Sequence, residues 1–154
     1  MNAKDFRKRF SIACFYHFTD RRNLPSIKAH GGLMALSELN RSGVAVPAPG
    51  GNAWSHDADA IAGVDDYVHL CLINDHPMEY RATQEGRIEN SVYLQIAPEV
   101  IELEGIMFAP DVSNKSGVKL LTLEEALTAM DFEVIYTRTD WRDPAIQARR
   151  KVAK

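Results

Sequence analysis

The run Phe15-Tyr16-His17-Phe18-Thr19-Asp20, followed by Arg21-Arg22-Asn23-Leu24-Pro25-Ser26-Ile27 and then Gly31-Gly32-Leu33-Met34, constrains this chain more than any other segment. Ile12 to Phe18 is apolar and aromatic and reads as a buried strand. Thr19 or Asp20 stands where a helix cap belongs, and Leu24, Ile27 and the stem of Lys28 share one face of the short helix that follows. A strand alternates its side chains, so His17 and Thr19, two apart, face the same side at the strand's exit. A neutral imidazole and a hydroxyl each donate and accept, which suits the pair to amides and ribose hydroxyls. The same residues also read as a satisfied core histidine beside a helix cap, and spacing alone leaves both uses open.

Composition bounds the class. With 154 residues, 45% hydrophobic and 25% charged, there is material for one core, and a single domain over 1–154 is expected. A net charge of -3 and a pI near 5.9 exclude a broad, sequence-indifferent nucleic-acid coat but leave room for a local basic groove. Cys14 and Cys71 lie in apolar runs without metal-ligand spacing, the pattern of buried reduced thiols in a cytoplasmic protein. No run is long or apolar enough to span a membrane, and the charged start Met1 to Arg9 leads into no signal-peptide core.

Further along, Leu36 to Asn40 reads as a helical turn and Gly43 to Asn52, with its prolines and glycines, as a surface loop. His56, Asp57 and Asp59 are metal-ligand types, but acids at a helix start account for them and no metal is expected. Tyr67 to Asn74 reads as a buried strand, Pro77 starts a helix over Met78 to Glu85, and Ser91 to Ile96 alternates as a half-buried strand. Ile106 to Phe108 is a further short strand and Asp111 to Gly117 an exposed loop. Thr122-Leu123-Glu124-Glu125 is a capping box opening a helix. Phe132 to Arg138 reads as a last strand, and Asp143-Pro144 starts a basic helix carrying Arg149, Arg150 and Lys151, either solvated or set against DNA phosphates. Strands and helices without strict alternation make the fold α+β. Arg81 and Arg87 have two uses open to them, a fork onto phosphate or a salt bridge with Glu79, Glu85 or Glu89.

Four pieces, in order, resemble the DarT-type DNA ADP-ribosyltransferases. Tyr16-His17-Phe18-Thr19 with Asn23-Leu24, Ile27 and Gly31 to Met34 is similar to that family's opening strand and helix. Asp66-Tyr67-Val68 is similar to its Asp-Tyr-Val strand, and His76-Pro77-Met78-Glu79-Tyr80 to its Ser-Pro-Met and tyrosine. Met130 to Ile135, with Trp141 and Asp143-Pro144, is similar to its later part. The resemblance implies an ADP-ribosyltransferase-like mixed, split β-sheet with flanking helices. It implies NAD as co-substrate, held by His17, Phe18, Thr19, Asn23, Ser26 and Met34. It also implies transfer to a nucleobase of single-stranded DNA, the toxin activity of a toxin and antitoxin pair, and a macrodomain antitoxin as partner. Trp54, Tyr67, Tyr80 and Tyr93 are the aromatic platforms on which bases could stack, most of them expected in the core.

The chain also departs from the family. The arginine that engages NAD ahead of the Asp-Tyr-Val strand has no counterpart between His56 and Asp66, leaving Arg41, Arg81 or Arg87 to substitute. The family's catalytic glutamate follows a basic helix like Ala145 to Val152, and this sequence ends at Lys154. The expectation is therefore a domain incomplete at its C-terminal end, in preference to one that uses Glu133, the one carboxylate on an expected late strand. Two other readings remain. One is a catalytically silent NAD or nucleic-acid binding module. The other is a relative of RNA 2'-phosphotransferases, which calls for paired histidines and arginines where only His17 fits.

Overall fold

In chain order the elements are α1 (Ala3–Arg9), β1 (Phe15–Asp20), α2 (Leu24–Ala29), α3 (Leu36–Arg41), α4 (Ala53–Ala62), α5 (Pro77–Gln84), β2 (Ser91–Ile96), α6 (Leu123–Ala129), α7 (Phe132–Tyr136) and α8 (Pro144–Ala153). Short 3-10 turns occupy Arg21–Asn23 and Pro98–Glu102. These elements come from a computed structural model that describes residues 1–153. The fold is α+β, with β1 and β2 paired antiparallel and isolated bridges at Tyr16–Cys71 and Phe108–Leu121. Among the described residues no helix is long and apolar enough to cross a membrane.

Chain contacts divide the molecule into two units, Met1–Phe15 with Ile96–Lys154, and Tyr16–Gln95. The first is organised by phenylalanine. Asn2 caps α1 by accepting from the Asp5 amide at 2.9 Å, and α1 buries Phe6 completely. Phe6 meets Phe132 edge-on at 4.8 Å and Phe108 at 6.3 Å, while Phe10 packs on Tyr136 at 5.8 Å. The Thr122 capping box forms as expected: its hydroxyl accepts from the Glu125 amide and the Glu125 carboxylate accepts from the Thr122 amide.

In the second unit β1 runs to Asp20, two residues beyond the apolar run, so Thr19 and Asp20 close the strand. Asp20 then caps the 3-10 turn that leads into α2. Pro77 opens α5 behind a His76 cap, and Leu36–Arg41 is helical, both as expected. Ala82 and Ile88 are buried in its interior with Val64 and Cys71.

Three expected strands are absent. Tyr67 to Asn74 makes one bridge only, where Cys71 and Tyr16 exchange bonds of 2.9 and 2.6 Å. Beyond that bridge the His69 carbonyl, the next acceptor along that edge, accepts from the His17 side chain at 2.9 Å in place of a ladder amide. Tyr67 and Val68 are exposed. Ile106 to Phe108 is reduced to the Phe108–Leu121 bridge, 2.8 Å in both directions. Phe132 to Arg138 is not a strand: α7 occupies it, because Asp131 accepts from the Val134 amide at 3.1 Å as an N-cap and Phe132 stacks on Tyr136 one turn later.

Candidate functional site

The exit of β1 is held by an acid with no exposed surface. Asp20 accepts five hydrogen bonds: a bidentate fork from Arg22 Nε and Nη2, both 2.9 Å, and the amides of Arg22, Glu89 and Asn90 at 2.8, 2.8 and 3.3 Å. The Arg22 guanidinium, with those amides, holds its carboxyl well below the usual carboxylate range. One side chain thereby ties the end of β1 to the entry of β2. The backbone repeats the tie, since the Arg21 amide donates to the Asn90 carbonyl at 2.9 Å.

Next to it, Asn23 clamps the loop that precedes α4. Its Nδ2 donates to Thr19 Oγ1 at 3.0 Å and to the Ala48 carbonyl at 2.7 Å, and its Oδ1 accepts from the Ala48 amide at 2.8 Å. Thr19, Asn23 and Ala48 are all buried. Two of the six residues expected to hold the co-substrate are thus committed to positioning the 43–52 loop over β1. Gly50 in that loop lies over Phe18 and Ile88, with room for an added Cβ at 3.7 Å from each. Gly51 has none, since a Cβ there would meet His56 Nε2 at 2.7 Å.

The middle of β1 carries the groups left available. His17 Nδ1 donates to the His69 carbonyl, so in the neutral ring Nε2 is an acceptor. Burial pushes the His17 pKa down and keeps that ring neutral. Phe18 stacks on two imidazoles, His17 at 6.5 Å and His76 at 5.6 Å. His76 Nδ1 accepts from the Met78 amide at 3.2 Å as the cap of α5, which leaves Nε2–H as a donor. Burial lowers its pKa as well. Tyr93 on β2 closes the cluster, edge-on to Phe18 and Tyr16, accepting from the His76 amide at 3.2 Å. Its phenol is pushed up to about 12, chiefly by burial.

Sequence reasoning missed His76. Its signal was local: a histidine directly before Pro77, with the free Met78 amide one residue on, is a capping position. Its approach to Phe18 spans 58 residues and left no trace in spacing. Ser26 is half-buried on α2 beside His30, which bonds the Ser26 carbonyl at 2.8 Å, and Met34 is half-buried in the turn after α2.

The arginines are spent on acids. Arg81 pairs with Glu85 at 2.8 Å, Arg41 pairs with Glu38, and Arg87 sends Nε and Nη2 to Glu85 at 2.9 and 2.8 Å, leaving its buried Nη1 unpartnered. Of the aromatic platforms, the expectation of core placement is overturned for three: Trp54 is 72%, Tyr80 67% and Tyr67 40% exposed. Trp54 and Ile61 lie two turns apart on the outer stripe of α4 while Ser55 faces inward, and on α5 Ala82 takes the inward position. Among the described residues no cluster of three or more His, Cys, Asp or Glu could hold a metal.

Glu133 lies in the first turn of α7, not on a strand; its side chain is 69% exposed and 3.8 Å from Arg149, whose main partner is Asp131 at 2.6 Å.

A family model described as "DarT: ssDNA thymidine ADP-ribosyltransferase, DarT" matches residues 16–154. Neither a curated protein nor a solved structure matches the chain.

Proposed function

Because this chain belongs to the DarT family of single-stranded DNA thymidine ADP-ribosyltransferases, we propose that it transfers ADP-ribose from NAD to the thymine base of a single strand, and that β1 and its surroundings bind the NAD. The observation that carries this reading is the neutral His17 ring, anchored through Nδ1 on the β1 strand and presenting an Nε2 lone pair to a hydroxyl or amide. Phe18, Ser26 and Met34 supply the wall. Thr19 and Asn23 act by holding the 43–52 loop in place, with the Thr19 hydroxyl proton still free to donate.

The chemistry follows from the bond to be broken. Loss of nicotinamide leaves oxocarbenium character on the ribose, the thymine nitrogen attacks the anomeric carbon, and its proton leaves to a base. A carboxylate beside the ribose hydroxyls stabilises that charge. Glu133 is the residue to test for this role: Glu133→Gln forming at least 100-fold less adduct with NAD affinity intact would assign it, and unaltered adduct formation would remove it. Exposed Trp54, Tyr67 and Tyr80 offer stacking surface to unpaired bases. The reading further takes residues 1–154 as a single ADP-ribosyltransferase-like domain, cytoplasmic, acting as the toxin of a toxin and antitoxin pair with a macrodomain as antitoxin.

Calorimetry with NAD, on the chain and on His17→Ala, tests the pocket; incubation with NAD and oligonucleotides with and without thymidine, read by mass spectrometry, tests the transfer. Binding lost in the variant and an ADP-ribosyl adduct on thymidine-containing strands alone are the expected results. Binding without any adduct would favour a silent NAD-binding module. No binding would sink the pocket.

A further inference from the structure

Resting on the NAD-site reading above, we propose that His76 is a second imidazole of that site, donating from Nε2 to a neutral oxygen of the bound dinucleotide. Both rings stack on Phe18, His17 at 6.5 Å and His76 at 5.6 Å, neither edge-on. Their tautomers are complementary. His17 gives up its Nδ1 proton to a carbonyl and offers a lone pair. His76 takes an amide proton on Nδ1 and offers an N–H. Neither Nε2 has a partner among the described residues, and neither is among the buried unsatisfied atoms, so both reach solvent. A donor and an acceptor that both neighbour Phe18 match a ligand that carries hydroxyls or a carboxamide beside an apolar surface.

The charge around His76 narrows the acceptor. Asp75 and Glu79 both act on the ring. Asp75 directly precedes His76 and Glu79 stands in the first turn of α5, and this negative charge disfavours a phosphate as the acceptor relative to a ribose hydroxyl or the nicotinamide carboxamide.

Capping and donation separate in two variants. Asparagine places its oxygen where Nδ1 stands and keeps the cap, but lacks the distal donor. Glutamine places its amide nitrogen where Nε2 stands and keeps the donor, but loses the cap. Calorimetry with NAD and with ADP-ribose, beside thermal melts, on the wild type, His17→Ala, His76→Asn and His76→Gln reads both roles. The expected result is a crossing. His76→Asn melts like the wild type and binds NAD about tenfold more weakly, the loss of one hydrogen bond. His76→Gln melts earlier and binds within threefold. Weakening toward both ligands places the acceptor on ribose; weakening toward NAD alone places it on the carboxamide. If NAD binds the wild type and His76→Asn equally while His17→Ala has lost it, this inference is overturned and the pocket stands. If the wild type binds no NAD, both fall.

Discussion

The interior of the first unit is aromatic and aliphatic, with Phe6, Phe108 and Phe132 in mutual edge contact; that of the second holds Thr19, Asp20, Asn23 and Ser55. Those four are all of the buried polar side chains among the described residues, and all lie in Tyr16–Gln95. Apolar burial is non-directional, so a phenylalanine cluster supplies cohesion without dictating where any one backbone atom lies. Hydrogen-bonded polar groups do the reverse. Asp20 specifies where Glu89 and Asn90 sit relative to Arg22, and Asn23 specifies where Ala48 sits relative to Thr19. The unit with the candidate site is therefore the one whose interior defines positions.

The comparison breaks most visibly at Asp20. Asp20→Ala leaves the Arg22 fork and three backbone amides without their acceptor, and the expected outcome is loss of cooperative unfolding, followed by circular dichroism on heating. Acid does the same to the wild type. The folded carboxyl lies below its ordinary 3.8, so its stabilisation is complete above that pH and lost as pH falls below it through the folded value. Phe6→Ala is the matching test of the first unit: removing a fully buried ring is expected to cost about 3–5 kcal/mol in denaturant titration.

Asn23→Ala is milder, about 1–3 kcal/mol. Its distinctive readout is proteolysis, since release of Ala48 should open the 43–52 loop to cleavage while Phe6→Ala leaves loop cleavage in step with global unfolding. Smallest is the His76 cap. Burial holds its folded pKa below 6.5, against the opposing pull of Asp75 and Glu79 and with His69 adding to the lowering. The stabilisation is complete above 6.5 and declines as pH falls below it, by about 1 kcal/mol for one cap. His76→Asn should flatten that slope in melts taken between pH 7 and pH 5.

What was legible in the sequence was local. The capping box at Thr122, the Pro77 start of α5 and the alternation of Ser91–Ile96 are specified within a few residues, and each formed. At Phe132–Tyr136 the β-branched pair Val134-Ile135 argued for a strand, while the Asp131 cap and the Phe132–Tyr136 spacing, also local, argued for the helix that formed. At Tyr67 to Asn74 the apolar run was real, but beyond the one bridge a side chain 52 residues away bonds the next carbonyl in place of a ladder amide. The candidate site divides the same way. His17 and Phe18 could be read from β1, whereas the burial of Thr19 and Asn23 against Ala48, and the arrival of His76 on Phe18, depend on contacts across 25 and 58 residues.

The His17 bond to the His69 carbonyl has a consequence for solubility. Beyond the single Tyr16–Cys71 bridge, the side of β1 away from β2 is an open strand edge, and such edges recruit other strands. With its ring folded onto the neighbouring segment, His17 holds that segment across the edge and shields it from a second chain. His17→Ala should free the flap, and the purified variant is expected to self-associate with rising concentration where the wild type stays dispersed, a difference that light scattering would register.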